Sequence, residues 1–200
     1  FLNIMKINQK IKKVAFIGMG LINSSLARDL KIKKFYLSSS AYSRRLSTIN
    51  KIKKLKLVDF ASSNIEKTIK EADIIIVGIP VAAYQEVFKK ICNNIKPGAI
   101  ITDVGSVKKE VINSVKKYLP KNIDFVPGHP IAGTENSGPE SGFAGLFKNG
   151  WCILTPNKNT SKNSVKIIKY MWQLVGMKVD IMDSNYCLLY TSPSPRDSDS

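Results

Sequence analysis

Histidine is almost missing from this chain: among 200 residues there is one, His129. Cysteine is nearly as scarce. Cys92, Cys152 and Cys187 lie far apart with no C-x-x-C pair, which argues against a disulfide framework and a zinc site and for a reducing cytoplasm. No metal is expected. Long apolar runs are also lacking. The longest, around residues 74–83, is broken by Pro80 and falls well short of the ~20 residues of a membrane helix. The first residues are basic and polar, unlike a secretory signal. Acidic residues are in deficit, 15 against 31 Lys and Arg, for a net charge of +16. That balance invites a nucleic-acid or anionic-membrane reading. However, the lysines (Lys51, Lys53, Lys54 and Lys56 among them) sit mostly beside Ile or Leu, as on the solvated faces of amphipathic elements. No groove-reading motif accompanies them, so neither nucleic acid nor membrane is the expected partner. A positive field still attracts polyanionic cofactors and dicarboxylates.

What is present is an alternation of short apolar runs and helical patterns. The runs near 13–17, 35–42, 57–61, 73–78, 98–103 and 123–127 predict strands, with helices near 21–32, 46–55, 64–71, 82–93 and 107–118 between them. Trp151–Leu154, a helix near 162–175 and Lys178–Met182 follow. The implied class is α/β, a Rossmann-type doubly wound parallel sheet with a βαβ extension. The expected organisation is a nucleotide-binding domain with a catalytic loop over 11–156, an extension over 157–183, and a tail over 184–200. The tail, SNYCLLYTSPSPRDSDS, loses all periodicity. It reads as disorder or, over Cys187 to Asp197, as a translated sequencing adaptor, in which case the native chain continues beyond Asp183.

Two stretches carry chemistry. Val14–Ile17 runs into Gly18-Met19-Gly20-Leu21-Ile22-Asn23, a G-x-G loop that follows a strand and opens a helix. Gly18 permits a tight turn, and Gly20 lets the backbone approach a pyrophosphate at the helix amino end. Asn23 stands where the fingerprint has a third glycine, which predicts a helix seated slightly farther from the sheet. At the end of the second strand, where a ribose-gripping carboxylate is expected, stands Ser43-Arg44-Arg45. Two guanidiniums favour a 2′-phosphate, hence NADP over NAD. The alternative is that both arginines simply begin a helix.

The second stretch is Phe125–Pro156, FVPGHPIAGTENSGPESGFAGLFKNGWCILTP. It presents the lone imidazole of His129 from a Gly/Pro-rich loop at a strand's carboxyl end, where α/β sheets do chemistry. A structural loop histidine is the plain alternative.

With VAFIGMGLINSSLARDL, ADIIIVGIPV and PGAIITDVGSVKKEV, this stretch resembles the prephenate/arogenate dehydrogenase family of tyrosine biosynthesis over about residues 11 to 183. The resemblance implies NAD(P)-dependent oxidative decarboxylation of prephenate or arogenate. It makes His129 the catalytic histidine and Ser106 the residue that hydrogen-bonds the substrate hydroxyl and His129. It also implies that Thr134 and Glu135 line the substrate pocket, while the residues expected to hold the cofactor are Gly18, Gly20, Leu21, Ile22, Ser43, Arg44, Arg45 and Pro80. A helical carboxyl-terminal domain making a homodimer is also implied, without a counterpart in these residues. Ser106 also reads as a helix N-cap, and the two roles are compatible.

The chemistry fits the residues. Oxidation of a ring carbinol needs a base for its hydroxyl proton, and an imidazole with a pKa near ~6.5 serves near neutrality. Competing readings are another Rossmann reductase acting on an imine or ketoacid, and a non-catalytic dinucleotide- or nucleic-acid-binding domain.

Overall fold

A computed structural model describes residues 11–106, 108–132 and 138–182. The first strand, β1 (Lys13–Ile17), leads into α1 (Leu21–Ile32), followed by β2 (Ser38–Tyr42), α2 (Leu46–Lys54), β3 (Phe60–Ser62) and α3 (Ile65–Ile69). A second set comprises β4 (Ile74–Val77), a short 3₁₀ turn at Val81–Ala83, α4 (Tyr84–Ile91), β5 (Ile100–Asp103), α5 (Lys108–Lys116) and β6 (Asp124–Ile131). A 3₁₀ turn at Pro139–Ser141, β7 (Trp151–Leu154), α6 (Lys162–Leu174) and β8 (Lys178–Ile181) complete the described chain.

The eight strands form one sheet in the order β3-β2-β1-β4-β5-β6-β7-β8. All neighbours are parallel except β6 and β7. The central strands are apolar on both faces because helices cover both. In β4, Ile74 and Ile76 enter the core beneath α1, α2 and α6, while Ile75 and Val77 enter the one beneath α3, α4 and α5. Helical spacing does the same work on the outside. In α2, Ile49 and Ile52 turn inward and Lys51, Lys53 and Lys54 are exposed. Asn64 caps α3 by accepting from the Lys67 N–H at 2.8 Å, and Ser161 caps α6 by accepting from that of Asn163 at 3.2 Å.

The strands arrive in the predicted order with trimmed edges. The run at 57–61 pairs only at Phe60–Ser62, and that at 35–42 only from Ser38. The sixth strand is longer than its apolar run. It reaches Ile131 because β7 folds back antiparallel and pairs Gly128–Ile131 with Trp151–Leu154.

The glycine-rich segment before β7 is built in through α1. The Ser25 hydroxyl accepts from the Phe143 N–H at 3.1 Å, and the Asp29 carboxylate accepts from the Gly145 N–H at 2.9 and 3.2 Å. Gly142 lies so close to Ser24 that any Cβ would clash. Burial raises the Asp29 pKa, opposed by the Gly145 N–H and by Lys33 and Lys148. Phe147 then enters the core edge-on to Trp172, ring centroids 5.4 Å apart. Among the described residues no helix is long and apolar enough to cross a membrane.

Candidate active site

The carboxyl ends of β2, β1, β4, β5 and β6 lie side by side, and most of the expected site residues fall along this edge. At β1, Gly18 has φ +83°, and a Cβ there would drive into the Gly78 carbonyl and the Ile79 side chain. This close approach of the loops after β1 and β4 requires glycine. Gly20 is different. A Cβ there would meet nothing within 4 Å, so its space lies open above the loop. No side chain caps the amino end of α1, whose first turn carries no acidic residue. The leading N–H groups of Leu21 and Ile22 are therefore available to an anion. Pro80 is exposed at the head of the turn after β4. Open space over Gly20, an uncapped helix end and no acidic side chain in its first turn fit a dinucleotide pyrophosphate.

Asn23, at the position of the missing third glycine, is buried. Its Nδ2 donates to the Gly18 carbonyl at 2.7 Å, and its amide lies against Gly78, where a Cβ would stand 2.6 Å from Nδ2. A glycine after β4 thus faces Asn23 of α1 at this contact. Gly78 supplies the room that a glycine at position 23 would have left.

At the ribose position, the Gly18 N–H donates to the Tyr42 carbonyl at 3.1 Å, which puts Ser43 next to the phosphate loop. Arg44 and Arg45 are exposed and precede α2, with Arg45 at its N-cap and no side-chain cap bond. They do not form its first turn. The Ser43 hydroxyl accepts from the Arg45 N–H at 3.3 Å.

His129 is a strand residue, two positions past the register pair Asp103–Pro127 that ends the contact between β5 and β6. In place of the expected loop conformation, His129 pairs with Ile153 of β7. The half-buried imidazole has its pKa lowered, first by burial, then by the Lys108 ammonium, with Asp103 opposing. The neutral, proton-accepting form is thereby favoured. The Cys152 thiol, which accepts a hydrogen bond from the His129 backbone N–H, is pushed up to about 12 by burial and stays protonated. Ser106 is exposed after β5. Val107, between it and α5, lies outside the described residues, as do Thr134 and Glu135.

Ser106 stands within D-V-G-S-V-K, and the two ends of that motif, Asp103 and Lys108, meet in the structure. Asp103 and Lys108 form a buried ion pair at 2.5 Å, with side-chain exposures of 0% and 3%. Asp103 also accepts from the N–H groups of Gly105 and Gly128 at 2.9 and 3.2 Å, and from the Tyr84 hydroxyl at 3.3 Å. An acid closing an apolar strand, with a lysine five residues on, was the available signal. Elsewhere, a cleft of about 430 Å³ between α5 and the β7–α6 connection contains none of the expected site residues.

Residues 26–181 match the family model described as prephenate dehydrogenase, nucleotide-binding domain. The cyclohexadienyl dehydrogenase of Zymomonas mobilis is 36% identical over 175 residues, 88% of this chain and 59% of that protein. Among solved structures, the prephenate dehydrogenase of A. aeolicus in complex with hydroxyphenyl propionate and NAD+ superposes with a TM-score of 0.82 at 31% identity, covering 90% of this chain and 62% of that one. Synechocystis arogenate dehydrogenase gives a TM-score of 0.80 at 28% identity, over 88% and 61% of the two chains. This chain thus spans about three fifths of the length of each of these three relatives.

Proposed function

The chain belongs to the prephenate dehydrogenase family, and from that premise we propose that it carries the nucleotide-binding and proton-accepting part of an NAD(P)-dependent dehydrogenase. The substrate is a cyclohexadienol bearing a ring carboxylate, prephenate or arogenate. It is oxidised and decarboxylated to 4-hydroxyphenylpyruvate or tyrosine. The observation that carries this reading is the shared sheet edge. An anion-ready loop at Gly18–Gly20 and a half-buried imidazole favoured in its neutral form at His129 both lie at strand carboxyl ends, with β4 and β5 between them.

Gly18, Gly20, Leu21, Ile22 and Pro80 hold the dinucleotide, and Ser43 with Arg44 and Arg45 favours the 2′-phosphate of NADP over NAD. When bound, the nicotinamide supplies the hydride acceptor for the carbinol carbon. His129 takes the hydroxyl proton, and its depressed basicity keeps it available as a base somewhat below neutrality. Ser106 donates to or accepts from the same hydroxyl and fixes its direction. Thr134 and Glu135 line the substrate pocket. Once the carbinol is a ketone, loss of CO₂ aromatises the ring, so irreversibility comes from the product and the residues need only orient and deprotonate. Residues 11–156 serve as the nucleotide-binding and catalytic domain, residues 157–183 complete it, and the working protein is a homodimer. The free thiols of Cys92 and Cys152 suit a reducing cytoplasm.

The test has two parts. Calorimetric titration of NAD and NADP into this chain should give saturable binding, and the complete protein should release CO₂ from prephenate or arogenate with stoichiometric reduction of the cofactor. Absence of both binding and turnover would refute the proposal.

A further inference from the structure

We propose that Asp103 is the positioning residue of this site: one buried carboxylate that fixes the backbone beside Ser106 and beside His129 at once, with Lys108 as its counter-ion within electrostatic reach of the imidazole. The inference rests on the dehydrogenase reading for its catalytic consequence, but its geometry does not.

Asp103 ends β5, and its two oxygens divide the work. Oδ1 accepts from the Gly128 N–H at 3.2 Å, one residue before His129. Oδ2 accepts from the Gly105 N–H at 2.9 Å, one residue before Ser106, and from the Tyr84 hydroxyl at 3.3 Å, and it receives Lys108 at 2.5 Å. Both glycines come close to Asp103. A Cβ on Gly128 would lie 2.9 Å from the Asp103 carbonyl oxygen, and one on Gly105 would lie 3.1 Å from Oδ2. Burial and the adjacent carboxylate push the Tyr84 phenol far upward, so it remains a donor. The carboxylate therefore ties together β5, β6, α4 and α5 at the point where the two proposed reacting side chains emerge.

Stability alone does not account for such a pair. Taking two charges out of water costs more than their attraction returns in many proteins, and apolar residues of similar volume commonly do as well or better. What an apolar pair cannot do is hold two backbone N–H groups in fixed directions, or place a cation near His129. Among the described residues, the charged and titratable groups acting on the imidazole are Lys108 from α5 and Asp103 from β5, with the protonated Cys152 thiol of β7 on the backbone N–H. Of the two charges Lys108 has the larger effect, so the pair as a whole favours the neutral base.

Because His129 is the only histidine in the 200 residues, its ring resonances can be followed by NMR without ambiguity. In the 200-residue chain the titration midpoint should lie below the ordinary ~6.5. Lys108→Met should raise it, as expected when a nearby cation is lost and an anion stays. Lys108→Arg should leave it low, and Asp103→Leu combined with Lys108→Met should raise it less than Lys108→Met alone. The double variant leaves no unpaired buried charge, but it removes the acceptor of the Gly105 and Gly128 N–H groups and of the Tyr84 hydroxyl, so it should fold with a lowered thermal midpoint. In the complete protein it should also lower kcat by about 100-fold, the scale of a 1 Å misplacement, with the KM for the nucleotide little changed. In the wild type, the Gly105 and Gly128 amides should exchange as slowly as core amides. Free exchange of either amide overturns the clamp whatever the variants do. So does a folded double variant that keeps both the wild-type titration and the wild-type kcat. If the wild-type complete protein shows no turnover, the dehydrogenase reading fails, and the titration and exchange results still decide the role of Asp103.

Discussion

The side-chain amide of Asn23 lies 2.7 Å from the Gly18 carbonyl oxygen and fills the space over Gly78 that a side chain there would need. Gly18 and Asn23, five residues apart, thus form one packing unit with the distant Gly78 under the phosphate loop. Gly78→Ala should force the buried Asn23 to move and cost about 1–3 kcal/mol, as overpacking does. A loss of that size lowers the thermal midpoint by about 2–4 °C per kcal/mol in a protein of this length. An unchanged midpoint by calorimetry would show that Asn23 is free to shift.

Gly18 and Gly20 should respond in opposite ways. Gly18→Ala meets the Gly78 carbonyl and a φ of +83°, so folding itself should suffer. Gly20→Ala meets nothing in the protein, so stability should hold while NAD(P) affinity falls. Thermal melts beside nucleotide titrations of the two variants check this, and equal nucleotide affinity in Gly20→Ala and wild type would contradict the phosphate-loop assignment.

Much of this was legible from residue order. Strand four announced itself as Ile74-Ile75-Ile76-Val77, β-branched and apolar without alternation, and the structure buries it on both faces. The Gly18–Gly20 turn was readable because a strand precedes it and a helix follows. His129 was found by its rarity, but its secondary structure was not. Pro and Gly on both sides read as loop, whereas pairing with β7, an element more than twenty residues away, makes it strand. The Asp103 hub was missed for a related reason. A single carboxylate becomes a hub only when β6 and α5 bring Gly128 and Lys108 to it, and spacing along the chain does not encode that convergence.

At the opposite edge of the sheet, Asp73 accepts from the Lys12 and Lys13 N–H groups at 2.7 and 3.1 Å and from Lys96 at 2.6 Å. Burial alone would raise its pKa, but these donors together bring it below the usual carboxylate value. A depressed folded-state pKa contributes stability that is present above the unfolded value of ~3.9 and is lost as pH falls through the folded value. Asp73→Asn should therefore be destabilised by about 1–3 kcal/mol at pH 7, the scale of hydrogen bonds to a charged group. The gap from wild type should close in acid below the folded pKa. Urea titrations at several pH values test this, and a gap independent of pH would assign the effect to packing rather than charge.

In the complete protein, His129→Asn should lower kcat by about 10² to 10⁴-fold, the usual worth of a general base. Cofactor affinity should stay nearly constant, because the imidazole stands at the end of β6 and the phosphate loop at the end of β1, with β4 and β5 between. Since burial and Lys108 hold the imidazole pKa down, the wild-type rate should fall only as pH drops below ~6.5. Steady-state kinetics across pH 5 to 8 decides the matter. A variant with half the wild-type kcat would return His129 to a structural role.

Cofactor choice turns on the end of β2. Ser43 sits beside the phosphate loop and is followed by two exposed guanidiniums, with no carboxylate to grip a ribose 2′-hydroxyl or repel a 2′-phosphate. Arg44 is also within electrostatic reach of Glu86 and Lys90 on α4, a mutual ion pair that offers it little net competition. NADP should bind this chain more tightly than NAD, and the margin should shrink with added salt, because exposed charges are screened over ~8 Å at physiological ionic strength. Arg44→Ala should reduce the preference by about 1–3 kcal/mol, and Ser43→Asp should reverse it by placing a carboxylate at the ribose. Calorimetric titration of both cofactors into the wild-type chain and these two variants is sufficient. Equal or tighter NAD binding by wild type would reduce the arginines to solvated residues ahead of α2 and leave the dehydrogenase assignment standing without the NADP preference.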